Sequence, residues 1–227
     1  MTLVRRKVLK FALASTALAT LSACGAGNMA GMVTGGGGGG KSWGDIAKSF
    51  KNLMNQAVEG VAETQESIAM LADALGLKQE AAKLRGEAKN IREKGTSFAA
   101  SDLDEQVNIA NDGLGRVNDK LAQAKTLSAS EKQKIAEAMA NYAPAALKVG
   151  LSAVDAAVAI SDASSAGTPT PADGMEVISL AKDIPVKGPA IIKFAQLSIN
   201  GFKDLKAIAN ENDIAVPQTD ELEKLEF

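Results

Sequence analysis

The residues of this chain best placed to do chemistry form a short run near its start. Gly35 to Ser42 reads GGGGGGKS and satisfies G-x-x-x-x-G-K-[ST], with Gly35, Gly40, Lys41 and Ser42 in the required places. In a true phosphate-binding loop, backbone N–H groups cradle a nucleotide's phosphates, and the loop joins a buried strand to a helix. Here only MAGMVT precedes the glycines. No β-rich run is available to order them, so Ser42 is expected to cap a helix and no nucleotide is expected. A second candidate is the carboxylate series Glu59, Glu63, Glu66 and Asp73, which shares one helical face. Paired carboxylates can hydrolyse a glycoside. These lie opposite the apolar stripe of the same helix and read as a charged outer surface. Asp102, Asp104 and Glu105 lack the glycine turn and spacing of a calcium loop and read as acids favoured at a helix N-terminus.

The chain has no histidine and one cysteine. Without histidine there is no Ser-His-Asp or Cys-His nucleophile system and no helical Glu-x-x-His metal pattern. No catalytic residue, metal or other cofactor is expected, and the protein reads as a non-enzyme.

Cys24 closes a recognisable N-terminal pattern. Arg5, Arg6, Lys7 and Lys10 make a positive segment, and Phe11 to Leu21 follow as eleven uncharged residues. That core is too short to span a bilayer as a helix, which needs about 20 residues, and matches a signal peptide. Leu21-Ser22-Ala23-Cys24 resembles the lipobox of bacterial lipoproteins. The resemblance covers about the first 25 residues of the 227. It implies removal of residues 1–23, lipidation of the Cys24 sulfur and acylation of the new amine, and hence attachment to a membrane through the N-terminal lipid. Gly25 stands where an aspartate would, by the lipoprotein sorting rule, imply inner-membrane retention. The resemblance therefore implies the outer membrane, facing the periplasm or the cell surface. RRKVLK is also similar to part of a twin-arginine export motif, with Val4 and Val8 departing from it; a basic segment for general secretion is the simpler reading.

Removing residues 1–23 shifts the formal net charge from −2 to −6 over 204 residues. An acidic body does not supply the positive footprint that nucleic acid requires. Residues 24–42, the anchor cysteine and the glycine-rich stretch GAGNMAGMVTGGGGGG, form a linker before the body. As a glycine-rich coil, its 16 residues span roughly 20–25 Å root-mean-square.

The elements that must position any site are helical. From Trp43 the apolar residues step by threes and fours through Ile46, Phe50, Leu53, Val61, Ile68 and Leu71, and Gly76 supplies a stop. A second helix is predicted over Lys78–Lys94. The third carries a strict seam of Leu103, Val107, Ala110, Leu114, Val117, Leu121 and Ala124, with Ser101 and Asp104 as an approximate capping box. Ser128 and Glu131 cap the fourth, which Pro144 is expected to kink or interrupt. The segment after Pro144 is apolar on most of its circumference, which places it centrally. A short helix from Met175 is predicted to break at Pro185, and Pro189 to open a last long one. The sum is an all-α bundle of five or six antiparallel helices over residues 43–227.

Two functions follow from such a body. One is the binding of an apolar, lipid-like ligand, as in lipid transport between envelope membranes. Lys148, Ser152 and Asp155 would line a pocket mouth, with Ala156, Phe194 and Phe202 behind it and the small Ala153 and Ala157 leaving space. The alternative is a structural or adaptor lipoprotein, docking another envelope protein through the first helix or the 103–124 seam.

Overall fold

The structure, a computed structural model, describes residues 41–124 and 126–225. The expected signal peptide, Cys24 and the glycines of the phosphate-loop-like run lie outside these residues. The described chain is all-α: α1 (Trp43–Ala74), α2 (Lys78–Lys94), α3 (Ala100–Ala122), α4 (Ala129–Ala166), α5 (Met175–Glu211) and the short α6 (Asp220–Glu223). The helices alternate in direction. The start of α1 meets the end of α4 through the Trp43 indole, which donates to the Gly167 carbonyl at 3.2 Å. The same start meets the start of α5 through Lys51 and Glu176, 2.9 Å apart. Thus α1, α3 and α5 run one way, and α2 and α4 the other.

Local chemistry sets the ends. Ser42 caps α1, its hydroxyl accepting from the Asp45 N–H at 3.2 Å. Gly76 leaves the helix with φ +76°, a conformation costly for any residue with a Cβ. Ser128 and Glu131 form a reciprocal cap on α4. On α3 the cap differs from the sequence expectation: Asp102, not Asp104, reaches back to accept from the Ala99 N–H at 2.8 Å. That N–H, helped by Lys94, holds the Asp102 carboxyl below its usual range. Asp104 instead pairs with Lys193 of α5 at 2.9 Å.

The prolines do not break their helices. Pro144 lies inside α4, and Pro185 and Pro189 inside α5, so each pair of predicted segments is one helix, of 38 and 37 residues. All three prolines are exposed. The carbonyls they leave without a helical donor therefore open toward water, and packing on both sides offsets a cost of about 3 kcal/mol each. DIPVKGPAII, residues 183–192, holds two of these prolines and is helical throughout.

The core is continuous along α1, α3, α4 and α5. Tyr142 of α4 is fully buried, donates to the Ser198 carbonyl at 3.0 Å, and meets Phe202 edge-on with ring centres 5.8 Å apart. Burial pushes its phenol well above the ordinary value. Glycines set the closest approaches: a Cβ on Gly60 would lie 2.7 Å from Val149, and one on Gly201 would lie 2.5 Å from Leu114. Gly113 in NDGLG does the same against Leu84 and Ile68, at 3.2–3.3 Å. A polar layer crosses this core where the α1 stripe is interrupted. Gln65 donates to Gln106 at 3.0 Å, and Gln106 to Glu87 at 3.0 Å, tying α1, α3 and α2 together.

The segment after Pro144 is not enclosed as its composition suggested. One side of α4 packs on α1 and α5, while Ala157 and its valine neighbours on the outer side are exposed. By length and composition α4 would pass for a membrane span, with a window of mean hydropathy 1.5 that is only 50% buried. The seam of α3, by contrast, is buried from Leu103 to Leu121 and offers no docking face. The apolar face of α1 is likewise internal. The C-terminal turn is docked on the bundle: Leu222 is buried in the core and Leu225 sits over Gly150.

Candidate functional site: an apolar cleft between α4 and α5

Where α4 ends and α5 begins, the two helices part. Gly167, with φ +74°, ends α4, and residues 168–174 cross to α5 through a turn of 3₁₀ helix at Pro171–Asp173. Thr170 and Asp173 cap that turn reciprocally. The side chains near the crossover, Ala163, Ser164, Gly167 and Ala181, are too small to fill the space between the two backbones. The result is a cleft of about 380 Å³. Its walls are Ile160 and Ala163 from α4 and Ile178, Ala181 and Ile184 from α5, with Trp43 at the base. Lys182 is its one charged lining residue, and Ser164 and Thr168 add hydroxyls at the rim. Lys182 is exposed and has no ion-pair partner among the described residues.

Two bonds tie this cleft to the start of the folded chain. Trp43 is fixed by its indole bond to Gly167, and Lys41 pairs with Asp162 at 2.9 Å. Asp155, two turns earlier on α4, is half-buried; burial raises its carboxyl above the ordinary 3.8, and Lys41 partly opposes that. The arrangement can hold an apolar chain against Trp43 and the isoleucines, with an anionic group beside Lys182. Its volume falls in the range of about 300–1,000 Å³ common to small-molecule sites, at the lower end.

The residues expected at a pocket lie elsewhere. Lys148 pairs with Glu63 of α1 at 2.6 Å, and Ser152 bonds back to the Lys148 carbonyl at 2.9 Å. With Asp155 they share one stripe of α4, but it faces α1 and the chain's start rather than the cleft. Ala156 is buried behind Gly188, where an added Cβ would lie 2.8 Å from Ile160. The alanines there permit contact instead of leaving space. Phe194 and Phe202 are fully buried among α3, α4 and α5. The cleft residues escaped the sequence reading because they are ordinary side chains from three distant segments. The available signal was the run of small residues Ala163–Gly167 before a proline-rich crossover.

The carboxylates of α1 are held in cross-helix pairs. Arg92 of α2 grips Glu66, with one of its two contacts at 3.0 Å, and reaches Glu59 at 3.3 Å. Arg85 pairs with Asp73. Arg92 holds the Glu66 carboxyl below its usual range, and the face is one of paired groups. Among the described residues no cluster of three or more acidic or cysteine side chains could hold a metal ion.

Comparison with known proteins gives no family model, no curated protein and no solved structure that matches this chain. The fold defines an all-α, up-and-down helical bundle.

Proposed function

We propose that this protein is a non-enzymatic, lipid-anchored envelope protein whose bundle binds an apolar, lipid-like molecule in the α4–α5 cleft. It acts at the outer membrane in the holding or transfer of lipid. The observation that carries the reading is the cleft itself: an apolar groove with one cation at its rim, beside the point where the linker from Cys24 enters the body. An acyl chain would displace water from Trp43, Ile160, Ile178 and Ile184, and each buried CH₂ contributes about 0.8 kcal/mol. Lys182 would face the headgroup. The lipobox supports the anchoring half of the proposal, and two or more acyl chains would make attachment stable.

The test separates the two halves. Incorporation of labelled palmitate, lost in Cys24→Ser, is expected if the chain is a lipoprotein; its absence removes the placement. For the cleft, native mass spectrometry of the unlipidated Cys24→Ser mature chain with phospholipid extract is expected to show a bound lipid. Ala163→Trp and Ala181→Trp, which fill the groove from its two walls, are expected to abolish it. Absence of any bound species in the unfilled protein would eliminate the lipid-binding reading.

A further inference from the structure

The outer surface of α4 and α5 poses a question that the cleft does not answer. On α4, Leu147, Leu151, Val154 and Val158 step by fours and threes along the side turned away from α1. On α5, Met175, Ile178, Pro185, Pro189 and Ile192 lie on one such row, interrupted by Lys182, on the side turned away from α3, with Val186 beside them. Gly188 against Ile160 and Gly150 against Ile199 bring the two helices together, so these rows form one continuous face. Its apolar side chains are unusually open: Val154 is 38% exposed, Val158 44%, Val186 57% and Met175 82%. They are four of the five large apolar residues classed as exposed among the described residues. Surface valines scattered singly need no explanation, but a contiguous patch marks an interaction surface.

The chain's own covalent plan says what covers it. The described body begins at Lys41, which is held against Asp162 of α4, and Trp43 is held against Gly167. The linker therefore enters the body at the end of the bundle where this face is most apolar. Sixteen residues separate Cys24 from Lys41. Fully extended, they reach about 55–60 Å, and as a glycine-rich coil roughly 20–25 Å. The α4 helix is itself about 57 Å long, at 1.5 Å for each of its 38 residues. A bilayer at the coil distance thus reaches the Val158–Met175 end and not the opposite one at Gln123 and Ser128.

We infer that the α4–α5 face, from Val154 and Val158 to Met175 and Val186, seats on the surface of the bilayer that holds the Cys24 lipid. The cleft then opens onto the membrane instead of the aqueous phase. This rests on the lipoprotein reading and specifies how the body is oriented. It also gives Lys182 a partner class, the phosphate of a membrane lipid, and gives the cleft a source of ligand that need never cross water. The long axis of the bundle lies inclined to the membrane, with the α2–α3 side remote from it.

Three positions test the orientation, because a lipidated Cys24 leaves no free thiol and any introduced cysteine is unique. The full mature lipidated protein carrying Val158→Cys, Val186→Cys or Gln123→Cys is spin-labelled and reconstituted into phosphatidylethanolamine–phosphatidylglycerol vesicles. Flotation with the vesicles reads the anchor separately from the seat. The expected result is oxygen-dominated collision at the first two labels and nickel-chelate-dominated collision, as in water, at Gln123. Trp43 is the chain's one tryptophan. Its fluorescence is expected to fall at least twofold when the lipids carry brominated acyl chains. Protein that floats with all three labels equally aqueous and Trp43 unquenched overturns the seat while sparing the anchor. Labels that become shielded only when envelope protein extract is added assign the face to a protein partner and overturn it as well. Protein that does not float overturns both readings.

Discussion

The two halves of the bundle's cross-section are built from similar residues and have opposite characters. Around Tyr142, Phe194, Phe202 and Leu114, α3, α4 and α5 approach until only glycine fits at Gly201, and every large side chain is buried. On the outer side of α4 and α5, valines, prolines and a methionine face outward and the helices part over Trp43. Composition does not distinguish the halves. What does is whether a neighbouring helix exists to cover the surface: α1 and α3 cover the inner one, and no described element covers the outer one. On the proposed reading the apolar surface left open serves function, whereas the sealed side serves stability. Mutations should separate the two cleanly.

The largest effect is expected inside. Phe202→Ala removes a fully buried ring and its edge contact with Tyr142. The loss should be about 3–5 kcal/mol, read as a drop in the urea midpoint. A cost near that of a surface residue would mean that the inner half is as loose as the outer. Gly201→Ala comes next. Its Cβ would stand 2.5 Å from Leu114 Cδ1 and 3.1 Å from the Tyr142 hydroxyl, so a loss of about 1–3 kcal/mol is expected. Gly115 is the control: it sits in α3 with open space where its Cβ would be. Gly115→Ala should stabilise by about 0.5–1 kcal/mol through helix propensity.

How much of this was legible in the sequence depended on where the determining information lies. The ends of α1 and α2 were readable because the cap of Ser42, the left-handed Gly76 and the 3.6-residue period are local. The buried seam of α3 was equally local. The prolines misled because their sequence position does not say which side of the helix they face; exposed ones leave the helix running. Asp102, two residues before the expected partner, shows that a cap is chosen among closely spaced acids by geometry. The apolar circumference of residues 145–162 was read as central burial, since composition cannot say which faces are covered. The cleft was invisible for a related reason: Trp43, Ala163 and Ala181 acquire meaning only once α1, α4 and α5 meet. Lys148, Ser152 and Asp155 do share a stripe, but a stripe does not identify its neighbour.

Acid should sharpen the same contrast at smaller scale. Glu66 has its pKa lowered by the Arg92 bond, and the N–H and hydroxyl bonds at Ala99 and Thr170 lower those of Asp102 and Asp173. For each, the unfolded chain binds protons more readily, so the stabilisation is present above the ordinary carboxylate value and is lost as pH falls through the lowered one. Asp155 behaves oppositely. Its raised pKa means the folded state holds the proton, so its contribution favours folding at low pH and diminishes as pH rises through 3.8 to the raised value. Wild-type stability should therefore decline below pH about 4.5, and Arg92→Met should remove the part of that slope carried by Glu66. Asp155→Asn should steepen the decline slightly, since it deletes the one opposing group. A flat profile between pH 5 and 2.5 would show that the pairs across α1 and α2 contribute nothing.

The smallest stability change is expected where the functional change is largest. Val158→Ser and Val186→Ser replace apolar side chains that are already 44% and 57% exposed, so little area returns to water on unfolding. Together they should shift the urea midpoint by an amount equivalent to about 0.5 kcal/mol or less. Both remove apolar contact from the face turned to the bilayer, and bromolipid quenching of Trp43 should weaken in the double variant while flotation, which depends on Cys24, stays complete. Phe202→Ala makes the reverse prediction under conditions where it remains folded: a large loss in urea resistance with quenching retained. If the two serines cost as much stability as a core truncation, the outer valines are structural and the division between a sealed side and an open side fails. If they cost nothing and quenching is also unchanged, the face is open but turned away from lipid.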